Sequence, residues 1–153
     1  LDPESESYLL SDKIEAAKNQ LEKALIYFLA GFLVIPLYPN SKKTTRKWDP
    51  WLSHLCEAAI RDYWSRYPSH WIGFIVPEDL VVLDADSPEA LAALYQIEES
   101  FDLEPGLVVK TRRGEHHYFR LEPGTPVRTQ SIDCTKLPQG IDIKARRSMV
   151  VLP

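Results

Sequence analysis

Two carboxylates one residue apart, Asp84 and Asp86, end the apolar run at Leu80, Val81, Val82 and Leu83 in "DLVVLDADSPEA". Side chains alternate along a strand, so a D-x-D pair leaves its end on one face. Hard oxygen ligands in that arrangement can clamp one or two divalent cations; an isolated D-x-D also describes a strand opening into a turn. A third carboxylate, Asp142 in "GIDIKA", lies between Ile141 and Ile143. A charge in such an apolar strand is costly unless it is paired or liganded. "GEHHYF" places His116 and His117 in a strand directly after a glycine turn, and alternation sends the two rings to opposite faces. Lys110, Arg112 and Arg113 precede that glycine; Lys144, Arg146 and Arg147 follow Asp142. Carboxylates to hold metal, with cations to neutralise a phosphate chain, are the parts that phosphoryl and nucleotidyl transfer require. Arginine suits the phosphates because its planar fork bonds two oxygens at once. An exposed strand face would account for some of these arginines equally well.

The elements that must position these residues follow from periodicity and punctuation. Ser11 or Asp12 caps a helix carrying Ile14, Ala17, Leu21, Ala24, Leu25 and Phe28 at three- and four-residue steps, stopped near Gly31. "FLVIPLYP" reads as a short buried strand ended by Pro36 and Pro39, and "NSKKTTRK", Asn40 to Lys47, as a basic loop. That loop suits contact with phosphate or simple solvation. Residues 57–66 form a second amphipathic helix, closed by Pro68. "WIGFIV" and "LVVLDA" are strands; Ser87 as cap with Pro88 and Glu89 starts a helix to about Ser100. "LVVKT" and "HHYFRL" are strands around the tight "RRG" turn, "EPGTPVRTQSIDCTKLPQG" is irregular, and "IDIKA" and "SMVVLP" form a closing hairpin. The expected fold is α+β or an α/β sandwich about one central sheet. Residues 1–10 are expected to be a flexible lead-in and residues 11–153 a single domain.

The net charge is −4, which argues against a generic nucleic-acid binder, but it conceals an asymmetry. Residues 1–109 carry 9 Lys and Arg against 18 Asp and Glu; residues 110–153 carry 9 against 4. The C-terminal part is therefore net basic and can face phosphate, since local potential governs binding. The longest apolar stretch, "ALIYFLAGFLVIPLYP", is broken by Gly31 and Pro36 and is too short to span a membrane. Cys56 and Cys134 make no disulfide framework and lack zinc spacing, which fits a cytoplasmic location.

Taken in order, "AxxYFLAGFLVIPLYPNSKK", "W…WIGFIV…LVVLDAD", "VVKTRRGEHHYFR" and "GIDIKARRSMVVLP" resemble the N-terminal domain of the bifunctional primase–polymerases (prim-pol). These belong to the archaeo-eukaryotic primase superfamily and occur in replication proteins of plasmids, phages and other mobile elements. The resemblance runs from about Ala17 to Pro153 and rests on three motifs in sequence. It implies a prim-pol-like α+β fold, with a mixed or antiparallel RRM-like catalytic sheet flanked by helices. It assigns Asp84, Asp86 and Asp142 to catalysis and to binding Mg²⁺ or Mn²⁺. The second motif selects His116 over His117 for nucleotide binding, with Arg112, Lys144 and Arg146 or Arg147 as its basic companions. The implied partners are a DNA template and primer, NTP or dNTP, and a fused or separate helicase. The turn "RRGE" and the segment "KARRSM" depart from the glycine-rich stretches common in relatives. Starting at Leu1 and stopping at "VVLP", the chain is expected to be a piece of a longer replication protein.

Two other readings fit parts of the pattern. A strand ending in D-x-D also occurs in metal-dependent nucleotide-sugar transferases, but those begin with Rossmann-like βαβ units and offer no counterpart for Asp142. A prim-pol-like module that docks nucleic acid without catalysis is the other. For the catalytic reading, the three carboxylates are expected to converge, with His116 on their face of the sheet and His117 in the opposite layer.

Overall fold

The computed structural model describes residues 3–125, 137–138 and 140–153. Most of the long irregular segment before Gly140, Cys134 included, lies outside the described residues. In chain order the elements are α1 (Pro3–Ala16), α2 (Gln20–Leu29), β1 (Val34–Leu37), α3 (Trp48–Ser53), α4 (Glu57–Arg66), β2 (Trp71–Ile75), β3 (Leu80–Ala85), α5 (Pro88–Phe101), β4 (Leu107–Lys110), β5 (Glu115–Arg120), β6 (Ile141–Lys144) and β7 (Met149–Leu152). The class is α+β, and every strand pairing is antiparallel.

The strands fall into two sheets rather than one, in two compact units. Leu1–Ser11 and Val76–Ser148 make the first; Asp12–Ile75 and Met149–Pro153 make the second. Consequently β6 and β7 are not the hairpin that the sequence suggests. β6 pairs with β3, and β7 pairs with β2. The short turn between them carries Arg147 at φ 54°, a left-handed residue that redirects the chain instead of folding it back on itself.

In the second unit the sheet order is β1-β2-β7. β1 runs through Pro36 to Leu37, although the sequence ends it at that proline. A proline cannot donate to a ladder, and an edge strand tolerates that. Its carbonyl is used, accepting from the Thr45 N–H at 3.0 Å. The helix expected from Ser11 to Gly31 is two helices, the first starting at Pro3, inside the expected lead-in. The break comes from a cap: Asn19 adopts extended backbone and its side chain accepts from the Glu22 N–H at 2.9 Å. Glu22 in turn accepts from the Lys18 N–H at 2.7 Å. Ala24, Tyr27, Ile60, Trp64, Ile72 and Phe74 form the buried interior of this unit.

In the first unit the order is β4-β5-β3-β6. Strand, crossover helix, hairpin and returning strand in that order follow the RRM-like, ferredoxin-like arrangement except for its second helix, none lying between β5 and β6 among the described residues. The helix α5 begins where the sequence places it: the Ser87 hydroxyl accepts from the Ala90 N–H at 3.0 Å, with Pro88 at the first helical position. Its apolar stripe packs Ala90 and Leu94 against Ala85 and Ile141, which are cross-strand partners. α5 thus covers one face of this sheet. Residues one step along each strand, Asp84 and Asp142, project to the other face.

Candidate active site

The register brings the motif residues together. Asp84 on the central strand β3 lies directly opposite His116 on β5 and directly opposite Asp142 on β6. Directly opposed residues of an antiparallel pair share a face, with Cβ atoms about 4.5–5.5 Å apart. One row across three strands therefore reads His116, Asp84, Asp142. The His116 Nε2 stands 3.4 Å from Asp84 Oδ1, and the ring is buried. The Lys144 ammonium, two residues beyond Asp142 on the same face, lies 3.5 Å from Asp142 Oδ2. Two buried atoms in this row have no hydrogen-bond partner among the described residues: His116 Nδ1 and Asp142 Oδ1. Buried polar atoms are rarely left unmade, because each costs about 1–3 kcal/mol. Here both belong to the residues that the sequence marks for chemistry.

The other expected site residues divide. Asp86 follows the last residue of β3, is exposed, and passes its N–H to the Gly140 carbonyl at 3.4 Å. It leaves the strand where the chain turns into α5, so it stands outside the cross-strand row that pairs Asp84 with Asp142. Among the described residues no group of three or more His, Cys, Asp or Glu side chains is arranged to hold a metal ion. Arg112 is exposed on the Thr111–Gly114 turn, which closes with the Thr111 N–H on the Gly114 carbonyl at 2.9 Å. Gly114 presses that turn onto the carboxylate end of β3: a Cβ there would lie 1.8 Å from the Ala85 carbonyl oxygen and 3.3 Å from the Asp86 Cα. Only glycine fits. Arg146 and Arg147 are exposed beyond Lys144, where the Arg147 N–H bonds the Val76 carbonyl at 2.8 Å. β6 runs away from the Asp86 end of β3, so these two arginines fall at the far end of the row.

His117 faces the opposite layer, as alternation requires. It is fully buried, with Nδ1 2.5 Å from Glu98 Oε1 and Nε2 2.7 Å from Glu115 Oε2. The Tyr95 hydroxyl donates to Glu115 at 2.6 Å. This tie of α5 to β5 escaped the sequence reading, yet it left a signal. Ala90, Leu94 and Glu98 recur every four residues, so a carboxylate occupies the buried stripe of the helix and needs a partner.

Residues 24–153 match the family model of the bifunctional DNA primase/polymerase N-terminal domain. The chain belongs to the prim-pol family. No curated protein matches the sequence. Membership accounts for the motif order on an RRM-like sheet and makes this a domain of the primase/polymerase kind, a family that uses divalent metals. Among the described residues no helix is long and apolar enough to cross a membrane.

Proposed function

We propose that the chain catalyses template-directed nucleotidyl transfer, as a DNA primase and DNA polymerase in replication of a plasmid, phage or other mobile element. Asp84, Asp86 and Asp142 are the carboxylates assigned to Mg²⁺ or Mn²⁺, and NTP or dNTP is the substrate. The observation that carries this reading is the row His116–Asp84–Asp142, with the unpartnered Asp142 Oδ1 on it. A hard cation satisfies such an oxygen, and a neutral protein interior does not. When bound, divalent cations supply Lewis acidity that activates a primer hydroxyl and offsets triphosphate charge.

The chain's own residues supply placement. Two carboxylates held across adjacent strands concentrate negative charge at one point of a rigid sheet. Lys144 pairs with one oxygen of Asp142, and the other has no hydrogen-bond partner among the described residues. His116, fixed through Nε2 toward Asp84, has Nδ1 left for a phosphate oxygen. Arg112 rides on a turn that Gly114 clamps to β3, which suits it to the triphosphate. Arg146 and Arg147, at the other end of β6, are assigned to nucleotide or template phosphate further along. A DNA template and primer are the partners, with a fused or separate helicase beyond this chain, in the cytoplasm.

Extension of a labelled primer–template with Mg²⁺ or Mn²⁺ tests the reading. Asp84→Asn and Asp142→Asn are each expected to lower incorporation at least 100-fold, and His116→Ala to raise the KM for nucleotide. Wild-type-like extension by both aspartate variants overturns the assignment. Sugar-nucleotide hydrolysis in a parallel assay would move it to the transferase class.

A further inference from the structure

A second cluster lies wholly within the unit that does not carry the carboxylate row. The Tyr38–Lys47 segment is not a free solvated loop. Its Tyr38 N–H bonds the Lys43 carbonyl at 3.0 Å, Leu37 bridges to Thr44, and the Thr45 N–H bonds Pro36. This pinned turn presents Lys42, Lys43, Arg46 and Lys47, all exposed, with no acidic residue between Tyr38 and Lys47. Aromatic rings are interleaved with the cations. The Arg46 guanidinium lies 4.9 Å from the Tyr63 ring centre and 6.0 Å from that of Tyr67, and the Lys43 ammonium 5.9 Å from that of Tyr38.

The rings are held by partners beneath them. Tyr67 stacks on His70 at 4.9 Å between centres and 14° between planes. The Tyr63 hydroxyl bridges Thr45 and His70 Nδ1, the latter at 2.7 Å. Burial raises the Tyr63 phenol above its ordinary range, so it remains protonated in this bridge. Yet Tyr38 and Tyr67 stay 45% and 40% exposed. Two large rings left this far in solvent, beside cations that make no salt bridge among the described residues, present a stacking surface.

We propose that this surface holds a single strand of nucleic acid, with bases stacked on Tyr67 and Tyr38 and phosphates on Lys42, Lys43 and Arg46. Fixed aromatic platforms within a positive track are what sequence-tolerant single-strand binding requires, because every base has a π-face. The charge selects the occupant: four exposed cations, with Asp49 the first acid to follow them, oppose a basic peptide and favour a polyanion. Specific base-edge readout is not needed for this role, and none is built into the turn. The inference does not rest on the carboxylate row, which lies in the other unit.

Fluorescence anisotropy of a fluorescein-labelled oligo(dT) with the whole chain, in EDTA, tests it. Tyr67→Ala and Tyr38→Ala are each expected to weaken binding about tenfold, in line with base–aromatic stacking of about 1–3 kcal/mol. Lys43→Glu should weaken it and also flatten the salt dependence, since one fewer counterion is released. Because Lys43 is exposed, that variant tests the surface even if a tyrosine variant folds poorly. Asp84→Asn, run beside them, is expected to bind like wild type, so loss of catalysis and loss of the platform read out separately. Unchanged affinity in Lys43→Glu and in either folded tyrosine variant, or salt-independent binding, overturns the proposal.

Discussion

Replacing Gly114 by alanine tests how the glycine turn is coupled to the carboxylate strand. The added Cβ would lie 1.8 Å from the Ala85 carbonyl oxygen, where real contacts of this kind essentially never fall below 3.0 Å. Something must therefore move by about 1.2 Å, and the obstacle is backbone on a central strand, not the end of a flexible side chain. Ala85 is flanked by Glu115 on β5 and Ile141 on β6, so it cannot retreat without disturbing both ladders. A hydrogen bond stretched by that much is lost, at about 0.5–1.5 kcal/mol each. Two strand-end bonds plus an overpacking cost of about 1–3 kcal/mol give a destabilisation of about 2–6 kcal/mol. That is a large share of the roughly 5–15 kcal/mol typical of a folded domain. Urea denaturation followed by far-UV circular dichroism is the assay. Tryptophan fluorescence would watch the wrong part, because Trp48, Trp51, Trp64 and Trp71 all fall in the other unit. Gly106→Ala is the control, since its Cβ would meet nothing nearer than 3.8 Å. A Gly114→Ala midpoint within about 0.5 kcal/mol of wild type would refute the clamp.

Removing the carboxylate from the buried stripe of α5 should be costly. Glu98→Ala leaves His117 facing one carboxylate instead of two and is expected to destabilise by about 3 kcal/mol in the same urea assay. Glu98→Gln keeps a hydrogen-bonding atom there and should lose clearly less. Asp142→Asn should not lower the melting temperature appreciably in metal-free buffer, because it relieves a like charge directly opposite Asp84. A calorimetric scan checks this beside the extension assay. Burial raises the Tyr27 phenol well above its ordinary value of 10.0. The stability that Tyr27 contributes is therefore complete below pH 10 and declines as pH rises above it, where only the unfolded chain ionises freely. Tyr27→Phe should flatten that alkaline decline, at the expense of the 3.3 Å bond to the Pro153 carbonyl.

Much of this protein is written locally. The Ser87–Pro88 helix start, the strand–turn–strand around Gly114, and the opposite orientations of His116 and His117 follow from caps, turn residues and the period of two. These depend on neighbours in sequence, so spacing alone is enough to read them. The identity of the motif residues is legible for the same reason, since D-x-D, His116 and Asp142 each announce themselves within a few positions. What spacing does not contain is register. That Asp84 pairs with both His116 and Asp142 is a contact across 32 and 58 positions of chain, set by how α5 packs Ala85 and Ile141. Register also decides that Lys144 joins the row while Arg146 and Arg147 overshoot it. The division into two sheets was hidden because strand periodicity states which face is buried, never which strand lies alongside. Likewise, the run of Lys and Arg in "NSKKTTRK" suits phosphate contact or solvation equally until hydrogen bonds to the Pro36 and Lys43 carbonyls pin it near Tyr38 and Tyr67. Local chemistry chose the residues; long-range pairing, which no short window records, chose their company.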